Sequence, residues 1–274
     1  MYKIVLKRQL NEQVTLMDID APYIARKAEA GQFIILRVRE GGERIPLTIA
    51  GYDRNKGTIT IIFQAVGKTT DLLAKLNEGE DILDVVGPLG VPTHLDGYKN
   101  VAVLGGGLGT AIAYPQVKKL AELGAKVYAI AGFRNKDLII LEDELKKVCD
   151  DVTISTDDGS NGNKGFVTDI LKQKMTEIEL DLVIAIGPLP MMHAVAELTR
   201  QTGVKTLVSM NPIMIDGTGM CGGCRVTVGG ETKFACVDGP DFDGHLVDFK
   251  EAMRRNGIYK EEEHACRMEA MTGE

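Results

Sequence analysis

The stretch Val101-Ala-Val-Leu-Gly-Gly-Gly-Leu-Gly-Thr110 decides how the middle of this 274-residue chain folds. Four apolar residues read as a buried strand, and the glycines at 105, 106, 107 and 109 read as a sharp turn. Thr110 to Leu123 then has helical spacing and stops at Gly124. The same rhythm recurs downstream. Strands are predicted at Lys126 to Ala131, Asp151 to Ser155, Asp181 to Ile186 and Lys205 to Ser209. Helices are predicted between them at Asp137 to Val148, Thr168 to Lys174 and Met191 to Gln201. Continuous apolar strands alternating with helices predict an α/β, doubly wound parallel sheet with right-handed crossovers.

Toward the amino end the period changes to that of strands alone. Tyr2 to Leu6, Gln32 to Arg39, Pro46 to Gly51, Gly57 to Phe63 and Asp81 to Val86 are short runs separated by turn residues, as in an antiparallel barrel or sandwich. One helix interrupts them, with Thr70 as its expected N-cap before Asp71 to Leu76. Toward the carboxyl end, Met210 to Pro240 is rich in glycine and cysteine. It holds two short candidate strands, Arg225 to Val228 and Thr232 to Cys236. A helix over Asp248 to Asn256, capped by Gly257, leads into a charged tail. The expected organisation is therefore a β barrel over 1–97, an α/β domain over 98–209 and a third lobe over 210–274.

Composition narrows the function classes. Lys plus Arg number 32 against 39 Asp plus Glu, giving −7, which argues against a general nucleic-acid binder. No run reaches the ~20 apolar residues of a membrane helix; the most apolar stretch, Leu182 to Leu198, is broken by Gly187, Pro188, Pro190 and His193. The first residues enter a strand pattern rather than a signal peptide, so a cytoplasmic protein is expected. Glycine, at 31 residues, exceeds the ~7% norm. The odd count of five cysteines (149, 221, 224, 236 and 266) is a poor disulfide framework.

Three sites follow from these patterns. Gly105, Gly106, Gly107, Gly109 and Thr110 open a helix after a strand, where backbone can approach a pyrophosphate and the helix end supplies free N–H groups. Gly187, Pro188 and Met191 occupy the same place after a later strand, and Asp157 and Asp158 end another strand on that edge. These residues are the candidate NAD site; an ordinary Asp-Gly turn is the alternative for Asp157 and Asp158. Arg134 follows the second strand, so the choice between NAD and NADP stays open. In the first domain, Arg44-Ile-Pro-Leu-Thr48 offers a phosphate-pairing guanidinium, and Gly67-Lys-Thr-Thr70 offers donors at a helix start.

The cysteine lobe carries the most specific pattern. Asp216-Gly-Thr-Gly-Met-Cys221-Gly-Gly-Cys224, followed by Cys236, keeps the x4 and x2 spacing of plant-type [2Fe–2S] binding if Asp216 stands for the first cysteine. Two alternatives remain: Cys266 in place of Asp216, or a structural zinc held by Cys221, Cys224, Cys236 and either Cys266 or His264. Cys149 reads as a small buried apolar residue. His94, His193, His245 and His264 read as structural or surface residues.

The order of a strand barrel with Arg44-x-Pro46-x-Thr48, then Gly67-x-x-Thr70, then a dinucleotide sheet resembles the ferredoxin–NADP reductase superfamily. That resemblance implies FAD across the barrel, held by Arg44, Pro46, Leu47, Thr48, Phe63, Ala65, Val66, Gly67, Thr69 and Thr70, with NAD(P)H docked from the second domain. The superfamily's Arg-x-Tyr-Ser is replaced here, so the aromatic that stacks on the flavin is missing. With the cysteine lobe, the whole chain is similar to electron-transfer subunits of dihydroorotate dehydrogenase. It is more similar to the small subunits of NADH-dependent reduced ferredoxin:NADP oxidoreductases of the sulfide dehydrogenase type, which share the aspartate at the first ligand position. Arg44 to Thr48, Gly67 to Thr70, Thr156 to Ser160 and Cys236 to Pro240 match that group as written. The resemblance implies an oxidoreductase subunit with FAD, a [2Fe–2S] cluster on Asp216, Cys221, Cys224 and Cys236, and NAD(H). It further implies a larger flavin and iron–sulfur partner in a heterodimer, and electron bifurcation linking NAD(H), NADP(H) and ferredoxin. No catalytic acid or base is expected, because hydride passes between cofactors.

Overall fold

A computed structural model of the chain describes residues 1–259, 261, 262 and 265; Cys266 and His264 lie outside them. The amino-terminal part comprises β1 (Tyr2–Gln9), β2 (Val14–Asp20), α1 (Pro22–Lys27), β3 (Phe33–Arg37), β4 (Arg44–Thr48), β5 (Gly51–Asp53), β6 (Thr58–Gln64), α2 (Lys68–Lys75), β7 (Asp81–Ile82) and β8 (Asp84–Leu89). These strands form two antiparallel sheets, ordered β5-β6-β2-β1-β7 and β4-β3-β8. Their inward side chains, among them Ile4, Met17, Ile19, Ile34, Leu36, Ile59, Ile61 and Phe63, make one core. The alternation read from the sequence survives in the first half of β6, where Ile59 and Ile61 are buried and Thr58 and Thr60 half-exposed.

The middle of the chain continues with β9 (Asn100–Gly106), α3 (Gly109–Glu122), β10 (Lys126–Phe133), α4 (Glu142–Lys146), β11 (Asp151–Thr156), α5 (Val167–Glu177), β12 (Leu182–Ile186), α6 (Leu189–Arg200) and β13 (Lys205–Ser209). Its strands are parallel in the order β11-β10-β9-β12-β13. The chain winds outward from β9 to β11, then returns across to β12. The strand order therefore reverses between β9 and β12, where open α/β sheets bind ligands at the carboxyl ends of strands. The last part contains the hairpin β14 (Arg225–Val228) and β15 (Glu231–Phe234), then β16 (Asp241–Asp243) and α7 (Phe249–Asn256), which starts at its N-cap Asp248. β16 returns to the nucleotide sheet and pairs antiparallel with β13. Cys224, Cys236 and Phe242 share a core with Leu104, Val208 and the barrel residues Phe33 and Ile35.

Three local expectations are corrected. The helix expected over Asp137 to Val148 is split into a 3-10 turn, Lys136–Leu138, and α4. Leu141 breaks it with a left-handed φ of 59°, and Ile140 and Leu141 are buried between the barrel residues Val14 and Ile62 and the sheet residues Ala131 and Phe133. Filling that junction overrides helix propensity. Thr70 is not the N-cap of α2; Gly67 is. The Thr70 hydroxyl sits one turn in and accepts the Gly67 amide at 3.1 Å and the Val66 amide at 3.0 Å. The continuous strand expected over Asp81 to Val86 is instead two strands, β7 pairing with β1 and β8 pairing with β3.

Candidate functional site

The barrel, the nucleotide sheet and the segment after β13 enclose a cleft of about 990 Å³. Its floor is the pair of glycine turns, which press on one another. A Cβ at Gly109 would lie 2.1 Å from the Ile186 carbonyl oxygen, and one at Gly187 would lie 3.0 Å from Gly106 Cα. A Cβ at Gly106 would meet Met191 Sδ at 2.6 Å and Pro188 Cδ at 2.9 Å. Only glycine fits a contact this close. α3 begins at Gly109 without a side-chain cap; its Thr110 and Ala111 amides donate to the Gly107 and Leu108 carbonyls, and the positive end of its dipole lies at the cleft-lining turn Gly106 to Gly109.

The structure gathers Gly106, Gly107, Gly109, Asp157, Gly187, Pro188 and Met191 on the cleft wall, with Arg134 beside them. Gly105 and Thr110 stand just behind: a Cβ at Gly105 would lie 2.5 Å from Thr110 Cα. The buried Thr110 hydroxyl has no hydrogen-bond partner among the described residues. Asp158 turns away. Its Oδ1 accepts the Ser160 amide at 2.9 Å, and its bonds to Ser160 hold the carboxyl below the ordinary aspartate value. Of the acidic pair, Asp157 alone lines the cleft.

On the barrel side Pro46, Leu47 and Thr48 line the cleft from β4. Arg44 opens that strand, exposed, and donates weakly (3.4 Å) to the Asp216 carbonyl oxygen. Thr69 Oγ1 donates to Glu43 at 2.7 Å, tying the start of α2 to the start of β4. Ala65 and Val66 follow β6, and Gly67 and Thr70 shape the α2 start. Phe63 is the exception: its side chain is buried in the barrel core, so only its backbone is available to a ligand. Sequence reasoning missed Phe33, Phe166, Met210 and Met214, all on the cleft wall. Phe33 lies in a strand that the sequence identified, but only its pairing opposite Thr48 shows that it belongs to this site.

The segments that flank the cysteine loop reach the cleft, through Met210, Met214 and Pro240. Asp216 organises its loop: Oδ1 accepts the Thr218 amide and Oδ2 the Cys221 amide, both at 2.9 Å. The Thr218 amide foremost, and then that of Cys221, holds the carboxyl below the usual aspartate value. Gly217 and Gly219 adopt φ of 76° and 82°, and a Cβ at Gly217 would strike Ile35 and Leu89 at 2.7 Å. The loop therefore lies flat on the barrel. Cys224 and Cys236 are buried with their sulfurs 3.2 Å apart, while Cys221 is exposed. Burial first, then the bond to Cys224, pushes the Cys236 thiol up to about 12. Among the described residues no three His, Cys, Asp or Glu side chains converge as metal ligands. The donor set nevertheless fits an iron–sulfur group. Two buried thiols already meet, a third precedes Cys224 by three positions, and the Asp216 charge reaches Cys236. Ligation would require the thiols to release their protons.

The remaining titratable groups sit apart. Cys149 is half-buried, its thiol pushed up to about 12 mainly by burial. His94 is exposed near Asp96, His193 packs on Phe249, and His245 Nε2 lies 2.9 Å from Thr199 Oγ1. No described helix is long and apolar enough to cross a membrane.

Residues 211–248 match the family model for the iron–sulfur cluster binding domain of dihydroorotate dehydrogenase B. The chain is 52% identical, over its whole length and 95% of the relative, to an uncharacterized protein in the adh 3′ region of Clostridium beijerinckii. It is 46% identical, over 95% of its length and 92% of the relative, to a dihydroorotate dehydrogenase B (NAD⁺) electron transfer subunit homolog of Thermotoga maritima. A solved structure giving insights into flavin-based electron bifurcation, that of the NADH-dependent reduced ferredoxin–NADP oxidoreductase, superposes with a TM-score of 0.93. It is 44% identical and covers 99% of this chain and 98% of its own.

Proposed function

Because this chain belongs to the family of dihydroorotate dehydrogenase B electron-transfer subunits and their homologues, we propose that it is a flavin and iron–sulfur electron-transfer subunit of an NADH-dependent reduced ferredoxin:NADP oxidoreductase. The observation that carries this reading is one cleft lined by the β4 residues Pro46 to Thr48, by the paired glycine turns, and by Met214 and Pro240, which flank the Asp216–Cys236 loop. The superposition at a TM-score of 0.93 supports the assignment, as does an aspartate where a fourth thiolate would stand.

The residues divide the work as follows. Gly106, Gly107, Gly109 and Gly187 admit the pyrophosphate of NAD(H) to the backbone, and the positive end of the α3 dipole neutralises part of its charge. Asp157 is placed to accept hydrogen bonds from the dinucleotide. Pro46, Leu47 and Thr48 provide one wall for FAD, with Arg44 as the phosphate cation and the amides at the α2 start as further donors. Phe33 supplies apolar surface in the same wall. Asp216, Cys221, Cys224 and Cys236 are the ligands of a [2Fe–2S] cluster. When bound, FAD supplies the conversion between hydride and single-electron transfer. The protein's task is to align the rings and exclude water, so no acid–base side chain is needed at the reacting atoms.

A larger catalytic subunit is the proposed partner. Ile213, Ile215, Met220 and Val237 stand exposed around the cysteine loop, as expected of surface that a partner covers. Ferredoxin engages through the complex, and the setting is cytoplasmic, where the free thiols of the described cysteines persist. One observation favours a second reading, dihydroorotate oxidation: the match of 211–248 to the dihydroorotate dehydrogenase B cluster domain.

The test is anaerobic purification with the native partner, followed by metal and sulfide analysis, a visible spectrum, and titration with NADH, NADPH, ferredoxin and dihydroorotate. Flavin and iron–sulfur absorption with NADH- and ferredoxin-dependent reduction is expected. Reduction by dihydroorotate in place of ferredoxin selects the second reading, and a colourless zinc protein removes both. Asp216→Ala should lose the cluster's paramagnetic signal and its iron; a retained signal strikes Asp216 from the ligand set.

A further inference from the structure

Asp241 lies outside the proposed cofactor chemistry and is unusual in its surroundings. It opens β16, five positions beyond Cys236. Part of the residue reaches the surface, but its Oδ1 is sealed from solvent and has no hydrogen-bond partner among the described residues. Its Oδ2 accepts Thr93 Oγ1 at 2.5 Å and Gln116 Nε2 at 2.6 Å. Gln116 Nε2 also donates to Thr93 Oγ1 at 2.9 Å. Three parts of the molecule thus meet on one carboxyl: the linker between barrel and nucleotide sheet, helix α3, and the strand that follows the cysteine loop.

The hydrogens of this cluster can be counted. Thr93 has one to give and the Gln116 amide has two, and the three bonds above use them all. Two buried acceptors, Asp241 Oδ1 and Gln116 Oε1, are left without a donor. The Ser209 hydroxyl, on the strand residue paired with Asp241, faces the carboxyl without bonding Oδ1. Nor does an opposite charge compensate. The packed elements carry His94, Asp96, Tyr98 and Lys99 on the linker, and Tyr114, Lys118, Lys119 and Glu122 on α3. Lys205 on β13 and Asp243 on β16 complete the set. Among the described residues, none of them forms an ion pair with Asp241. An isolated charge in such a place is costly, and one added proton removes it.

We propose that Asp241 is a positioning residue that works as a neutral carboxylic acid, pinning the strand after the cysteine loop to the linker and to α3, and that its ionisation loosens this join. Burial holds its carboxyl above the ordinary aspartate value, against the opposing influence of the nearby Thr93, Ser209 and Gln116 side chains. The join borders the cleft: Met210 N donates to the Pro240 carbonyl at 2.9 Å and Val91 N to the Gly239 carbonyl at 2.7 Å, and Ser209, Met210 and Pro240 line the cavity. The seat of the loop that carries Cys236 thereby depends on one proton. This inference stands on the chain's own geometry and does not need the redox reading to be correct.

The sign of the pH effect follows from the raised value. The stabilisation is fully present below the ordinary carboxylate range and is lost as pH rises through the folded-state value. Asn in place of Asp keeps an acceptor, adds an amide donor and cannot ionise. The experiment compares the full-length wild type with Asp241→Asn by infrared spectroscopy and by hydrogen exchange at the Met210 and Val91 amides across pH. The wild type should show a protonated carboxylic C=O band that Asp241→Asn lacks. Its amide opening constants, divided by those of the variant, should rise by about tenfold per pH unit between the two carboxyl values. No such band, or a ratio that stays flat with pH, overturns the proposal. Asp241→Leu, expected to open faster than Asp241→Asn at every pH, must show that the hydrogen bonds hold the join; equal protection in the two variants also refutes it. Because neither readout needs a cofactor, a failure here is distinct from a failure of the redox assignment.

Discussion

Replacing Gly109 by alanine tests the reading of the cleft floor at its tightest point. The new methyl would sit 2.1 Å from the Ile186 carbonyl oxygen, 2.7 Å from its carbon and 3.0 Å from Gly187 Cα. Carbon contacts are comfortable near ~3.5 Å, so the two turns must separate by about 1 Å. Every atom struck is backbone, and no side chain can swing aside. Overpacking of this kind costs about 1–3 kcal/mol. If the turns relieve it by parting, the cost falls on the dinucleotide that both turns hold, and NADH affinity drops by about 5- to 150-fold. Anaerobic titration of the flavin-loaded complex with NADH, following flavin bleaching, reads this directly. Strain retained in the fold would instead lower the melting temperature by about 2–4 °C per kcal/mol. A Gly109→Ala variant with wild-type NADH affinity would refute the placement of the pyrophosphate at these turns.

Arg44→Ala should release FAD about 10- to 150-fold more readily, since a hydrogen bond to a charged group is worth about 1.5–3 kcal/mol; equal flavin content after gel filtration would remove Arg44 from that role. Leu141→Ala empties part of the junction between barrel and nucleotide sheet, and a loss of about 2–5 kcal/mol is expected, measured by denaturant unfolding. The Asp181 carboxylate accepts the Asn100 and Lys99 amides at 2.9 and 2.8 Å, and the Asn100 bond foremost depresses its carboxyl. A depressed group stabilises the fold above the ordinary carboxylate value, and the gain is lost as pH falls through the folded one. Asp181→Asn should therefore flatten the acid limb of the stability curve, and superimposable limbs would count against it.

The cysteine lobe was legible because its chemistry is local. Asp216, Cys221 and Cys224 fall within nine residues, and glycines are needed wherever a loop must wrap a compact centre. The barrel and the parallel sheet were legible because strand and helix periods report which face is buried. Rules of that kind act between near neighbours in sequence, so residue order is enough to reveal them. Other features depend on partners that sequence order does not supply. Leu141 breaks its helix because Val14 and Ile62, from another part of the chain, complete the pocket it fills. Phe33 belongs to the cleft because β3 pairs with β4. Gly106 and Gly187 announce sharp turns one by one, but only the adjacency of β9 and β12 presses them together. Nothing in the residue order around Asp241 marks it out. Burial beside Thr93 and Gln116, distant by 148 and 125 positions, gives it an unfilled acceptor and hence a proton. Periods, turns and donor types follow from residue order alone. Which distant surfaces meet, and what charge a buried group can keep there, was decided by the tertiary structure, because desolvation and close packing exist only once the chain has closed on itself.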